Sequence, residues 1–184
     1  MSGLYRTVLG DDFQRLAPVL QALHHGQGSS VRGYLSVVWP EMRCKRLLLR
    51  LLKMPSESNA AKSDVLIIPV ARGSERWIRD IGGCGLISVM QPRGQRVIVE
   101  RTGLLKVYLK TWVDAQGSLQ QRSTRICLRG LGLPLPGLVI AASEHALDTS
   151  SFRCKVTVAA FPFGKLLSYE GDLSVLNFNS LRNC

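Results

Sequence analysis

No stretch of this sequence is long and apolar enough to cross a bilayer as a helix. The longest uncharged run, Gly130 to Ser143, is interrupted by Pro134 and Pro136. The opening residues, MSGLYRTVLGDDF, hold no apolar core behind a basic start, so no secretory leader is expected and the cytoplasm is the expected compartment. Cysteine is sparse and poorly spaced for chemistry: Cys44, Cys84, Cys127, Cys154 and Cys184 are odd in number and form no C-x-x-C. His24, His25 and His145 stand far from any metal-ligand spacing. The thiols therefore read as small packing residues in a reducing compartment, and no metal site is expected. Nucleophile elbow, Walker loop and zinc motifs are also missing. Gly130-Leu131-Gly132 lies in a proline-rich apolar segment with no lysine to meet a phosphate, so it reads as a loop, and no cofactor is expected.

Acidic residues are in short supply as well. The chain has 24 Lys and Arg against 13 Asp and Glu, a formal charge of +11. Such a surface attracts nucleic acid, acidic lipid or acidic protein alike. No recognised nucleic-acid module accompanies the charge, so no specific nucleic-acid role is expected.

What is present is a chain of 184 residues, 46% of them hydrophobic. That is enough for one domain with a real core and too apolar for disorder. The clearest pattern runs from Val97 to Val113. Its second half alternates, with Leu105, Val107, Leu109, Thr111 and Val113 on one side and Lys106, Tyr108, Lys110 and Trp112 on the other. Period two is the mark of a strand with one buried face.

The same reading extends along the chain. Leu4 to Leu9 forms a short helix ending at Gly10, and a second helix runs from near Leu16 to His24, with Phe13, Leu16, Leu20 and Leu23 docking on the core. His24 and His25 sit at its C-terminal end, where capping is favoured over a catalytic role. Val31 to Trp39 is a first strand, and Pro40-Glu41 opens a helix to Lys53. There Arg43, Arg46, Arg50 and Lys53 form a basic stripe beside Cys44, Leu47, Leu48, Leu51 and Leu52, with Leu49 left on the basic side. Residues 55–64 read as a polar loop suited to mobility. From Val65 to Val175 come strands joined by turns such as Pro92-Arg93-Gly94 and Asp114-Ala115-Gln116-Gly117, and Gly82, Gly83 and Gly85 mark a bulge or tight bend. The tail, 176–184, has little pattern. The fold class is α+β, mainly β: a curled, barrel-like antiparallel meander of about eight to ten strands, covered by two or three N-terminal helices. The leucine-rich helix 41–53 is expected to plug or cover one side. Without helical crossovers a parallel sheet is excluded.

Five segments, LYRTVLGDDFQRLAPVLQALHH, ERWIRDIGG, VERTGLLKVYL, LRGLGLPLPGLV and GKLLSYEGDL, occur in this order across about residues 4 to 175. As a set they resemble the bacterial domain-of-unknown-function family DUF4166. The resemblance implies no particular reaction. Some members follow a saccharopine-dehydrogenase-like, nucleotide-binding domain, which implies a metabolic setting and an oxidoreductase partner. No G-x-G-x-x-G follows a strand here, so any NAD(P) link would run through another chain. The Trp39-Pro40 pair stands where the family has a more polar turn, and it predicts a different start to the following helix.

Charged residues inside strand patterns are the candidate site: Arg76 and Trp77 in one strand, Glu100 and Arg101 in another, and Tyr169 near the last turn. An inward charge is costly unless it is paired or faces a wet cavity. A salt bridge from Glu100 to Arg76 or Arg79 would fix strand register. The alternative is a polar patch that orients an anionic or hydroxylated ligand between Trp77 and Tyr169. The leading functional reading is a barrel-like module for a small apolar or amphipathic ligand. Two others stay open: an enzyme or accessory subunit of an NAD(P)-linked oxidoreductase, and a peripheral protein that meets anionic membrane or an acidic partner through helix 41–53.

Overall fold

A computed structural model of the chain describes residues 3–51 and 54–176. It opens with α1 (Leu4–Leu9), a 3-10 turn (Gly10–Arg15) and α2 (Pro18–Leu23). Next come β1 (Ser29–Val38), α3 (Arg43–Leu51) and β2 (Ser58–Val70). Eight more strands follow: β3 (Ser74–Ile81), β4 (Cys84–Pro92), β5 (Val97–Thr102), β6 (Leu105–Val113), β7 (Leu119–Leu128), β8 (Leu138–Ala146), β9 (Ser151–Ala160) and β10 (Gly164–Leu176).

Each strand pairs antiparallel with its neighbour in sequence, and β1 pairs with β10, so ten strands close a barrel without a crossover. Closure removes the exposed edges that an open meander would keep. Alternation decides which side chains enter the interior. In β6, Val107, Leu109, Thr111 and Val113 are all buried, while the intervening Lys106, Tyr108, Lys110 and Trp112 are not. Irregular register between Leu35 and Val37, Tyr108 and Leu109, and Lys165 and Leu167 supplies the local bends that closure needs.

The closing seam has a second device. Gly33 and Gly171 lie on the inward face of β1 and β10, among Val31, Leu35, Tyr169 and Leu173. A Cβ on Gly171 would stand 2.0 Å from the Tyr34 carbonyl oxygen, and one on Gly33 would stand 2.1 Å from that of Asp172. The two backbones approach to a distance only glycine permits.

One end of the barrel is plugged by the N-terminal segment. Leu4, Tyr5, Val8, Leu9, Phe13, Leu16, Val19, Leu20 and Leu23 are all buried. The plug is bonded to the rim, where Arg96 N–H donates to the Val8 carbonyl and Ala17 N–H to that of Gly117, each at 2.9 Å. Pro18 at the first turn of α2 loses no helical hydrogen bond.

α3 belongs to the opposite end, between β1 and β2. It is seated differently from its sequence pattern: Leu49 is buried, while Leu47 and Cys44 are exposed. The reason lies in Trp39, whose indole N–H donates to the Pro55 carbonyl at 2.8 Å and ties the end of β1 to the approach of β2. Arg46 lies over the Trp39 ring at 5.9 Å and pairs with Glu57, so one face of the expected basic stripe is turned inward. The expected loop 55–64 is mostly strand. β2 begins at Ser58 because Ala61 and Ser63 alternate into the interior opposite Leu35 and Gly33. Gly82 and Gly83 form the tight turn between β3 and β4. Residues 177–184, and Leu52 and Lys53 of the basic helix, lie outside the described residues.

Candidate functional site

The interior carries charge, and β3 supplies most of it. Glu75, Trp77, Arg79 and Ile81 share its inward face. Met90 and Ser88 of β4 pair with Glu75 and Trp77, Glu100 of β5 pairs in turn with Met90, and Glu144 enters the interior from β8. Arg79 is the centre of the group. Its Nη1 donates to Glu100 Oε1 at 3.2 Å and to Ser88 Oγ at 2.9 Å, and its guanidinium lies 4.8 Å from the Trp77 ring centre. Burial opposes the Arg79 charge, but Glu100 together with Tyr169 and Tyr5 offsets this, and the guanidinium pKa is raised.

On the plug side lies a second polar group, built around a completely enclosed His24. His24 Nε2 lies 2.7 Å from Glu144 Oε2, and the His24 ring stacks 4.0 Å from Tyr5 and 6.0 Å from Trp77. The Trp77 indole N–H donates to Glu75 Oε2 at 3.1 Å, and the Leu4 backbone, at the start of α1, also bonds to this carboxylate. Glu75 Oε1 and His24 Nδ1 are buried without a hydrogen-bond partner among the described residues. Burial pushes the Glu75 carboxyl above its usual range and the Tyr5 hydroxyl well above its own.

The Glu75 shift has a sign. Above the ordinary value of 4.5 the unfolded chain releases a proton that the folded chain still holds. Stability on this account falls as pH rises from there through the folded value. Glu75→Gln keeps an oxygen for Trp77 and Leu4 and removes the charge. It is expected to raise the melting temperature at neutral pH and leave it nearly unchanged in acid; a lower melting temperature at neutral pH would contradict this.

Toward the other end the interior changes character. Tyr169 and Cys154 face inward from β10 and β9, where burial raises the tyrosine pKa and pushes the Cys154 thiol up to about 12. Leu86, Leu105, Leu135, Leu138, Ile140 and Val158 line this end and are only partly buried. Beyond Arg122 and Ala141, β7 and β8 part, and the connector 129–137 fills the gap, with Leu135 N–H donating to the Ile126 carbonyl at 2.9 Å. The side chains of Arg79, Glu100 and Glu144 keep 16%, 14% and 12% exposure although they point into the barrel. Opposite the plug, beside α3, lies the other end of the barrel, its mouth.

Of the residues singled out from sequence, Trp77, Glu100 and Tyr169 point into the barrel. Arg76 does not: it is exposed on the outer face of β3, and Arg79, two residues from Trp77 and so on its face, makes the ion pair with Glu100. Arg101 faces out, bonds to Gln91 and lines an external depression with Ile87 and Arg129. Arg43, Arg46 and Arg50 flank another shallow, open depression on α3 with Glu41 and Leu47. Glu75, Ser88, Glu144 and the buried role of His24 were missed. Period-two alternation along β3, which puts Trp77 and Ile81 on one face, carries the signal for Glu75 and Arg79, whereas nothing local marks His24 or Glu144, which meet across 120 residues. The described residues hold no cluster of His, Cys, Asp and Glu able to bind a metal, and no helix among them is long and apolar enough to cross a membrane.

Residues 16–173 match the family described as Domain of unknown function (DUF4166). The chain belongs to this family. No curated protein and no solved structure matches it. The DUF4166 region spans β1 to β9 and all of β10 except its last three residues, so it includes the interior charges described above; α1 and the 3-10 turn precede it.

Proposed function

We propose that this DUF4166 chain is a binding module that takes one small amphipathic molecule at the open mouth of its barrel. The observation that carries the reading is the Arg79–Glu100 pair, inward-facing yet partly exposed, with partly buried apolar side chains toward the mouth. Pairing lowers the cost of such charges, yet apolar residues of similar volume commonly serve stability as well, which leaves room for a second role in a wet or ligand-filled space. Arg79 and Tyr169 suit an anionic or hydroxylated head, with Ile140, Val158 and Leu138 along the apolar part. Barrels of eight or more strands commonly hold such ligands inside their walls.

Titration with anilinonaphthalene sulfonate, an anionic fluorophore with an apolar body, tests this. Saturable one-to-one binding, displaced by a single-chain carboxylate and lost in Arg79→Met/Glu100→Leu, is the expected result. Binding that is absent, or unchanged in the folded double variant, would overturn it.

A further inference from the structure

Exposed apolar side chains are unevenly placed on this barrel. At the mouth, the turns present Leu104, Leu131, Leu133, Phe161 and Phe163, with Leu47 of α3 beside them. Phe161 is 84% exposed, Leu131 80% and Leu104 71%. Around the plugged end the large exposed apolar residues among those described are Ile68, Val70 and Leu147, all less exposed than the tips at the mouth. Single exposed leucines need no explanation, but a cluster of protruding tips at one end does.

The tips are held in one ring. Lys45 Nζ on α3 donates to the Phe163 carbonyl. Phe161 N–H donates to the Gly137 carbonyl at 2.9 Å, and Arg129 N–H to that of Leu104 at 2.7 Å. The ring is also cationic. Arg43, Arg50, Arg129 and Lys165 are exposed around it, and none of the four has an ion-pair partner among the described residues. Away from the mouth some exposed cations, Arg32, Arg96, Arg153 and Lys155, are paired with carboxylates. Others, such as Arg72 and Arg93, have no ion-pair partner among the described residues. Charge alone therefore does not single out the mouth; its combination with the apolar tips does.

We propose that the mouth end of the barrel docks on a bilayer that carries anionic headgroups. Phe161, Phe163, Leu131 and Leu133 enter the interfacial layer, and the arginines meet lipid phosphates. Apolar insertion and electrostatic attraction are each weak anchors, and together they hold a protein on a membrane reversibly. Separate protruding tips suit a fluid surface that closes around each one, whereas a protein partner would need matching pockets. A second copy would bring a rim of the same sign. The docking stands independently of the ligand site, although it would turn the mouth toward a source of amphipathic molecules.

Flotation of the full chain with phosphatidylcholine vesicles, with and without phosphatidylserine, tests the proposal at low and high salt. Binding to the anionic vesicles at low salt, weakened by salt, is the expected result. Phe161→Ser/Phe163→Ser and Arg43→Glu/Arg50→Glu should each weaken it roughly tenfold or more. Arg72→Glu, at the plugged end, should leave it unchanged. The proposal is overturned if the chain does not float with anionic vesicles at low salt, or if Arg72→Glu weakens binding as much as the rim variants. It is also overturned by vesicle binding that ignores the phenylalanine changes. A dimer in solution that Phe161→Ser/Phe163→Ser abolishes, without vesicle binding, would make this end a self-interface instead. Fluorophore binding in vesicle-free solution reads the ligand site separately.

Discussion

Arg79→Ala is expected to destabilise the barrel by about 3 kcal/mol or more, the cost of leaving one member of a largely buried pair without its partner. Three contacts go at once: the bonds to Glu100 and Ser88 and the guanidinium over Trp77. Urea unfolding followed by Trp fluorescence measures the loss. The informative comparison is Arg79→Met/Glu100→Leu, in which both charges are replaced by apolar groups of similar volume. Such replacements are commonly neutral or stabilising. If the double variant folds at near wild-type stability, the pair is not needed for register and its presence calls for another reason. A double variant as unstable as Arg79→Ala would instead make the pair part of the scaffold.

Gly171→Val is expected to be the most damaging change in the barrel wall, with a loss at or above about 3 kcal/mol, the upper end of the usual cost of overpacking. The added Cβ would lie 2.0 Å from the Tyr34 carbonyl oxygen, which belongs to the backbone and cannot rotate away. Relief requires β1 and β10 to separate at the pairing that closes the barrel. Hydrogen exchange of β1 and β10 amides locates the effect: protection should fall at this seam more than at the β5–β6 pair. Uniform loss of protection, or none, would contradict a local role for the glycine.

Strands with one buried face were legible because period two appears directly, as in Leu105 to Val113. Turns were legible through Gly82-Gly83 and Asp114-Gly117. The early start of β2 was not, because small polar residues such as Ser58 and Ser63 read as loop until a neighbouring strand gives them a ladder. α3 misled for a related reason. A stripe of leucines predicts burial, yet Leu47 is exposed and Leu49 buried, since Trp39 and Arg46 set how the helix sits. The candidate site was half legible. Glu100 stood out as a charge in a strand, but its partner follows from face, which selects Arg79 over Arg76. His24 and Glu144 meet only once the plug enters the barrel, and no local pattern records that contact.

A small molecule held against the Arg79–Glu100 pair should stay with the folded chain. Native mass spectrometry of the chain, purified without denaturation beside Arg79→Met/Glu100→Leu, tests it most directly. The account predicts a single small-molecule adduct on the wild-type chain, released on unfolding and missing from the folded double variant. A bare wild-type mass that stays bare after incubation with single-chain carboxylates would contradict it.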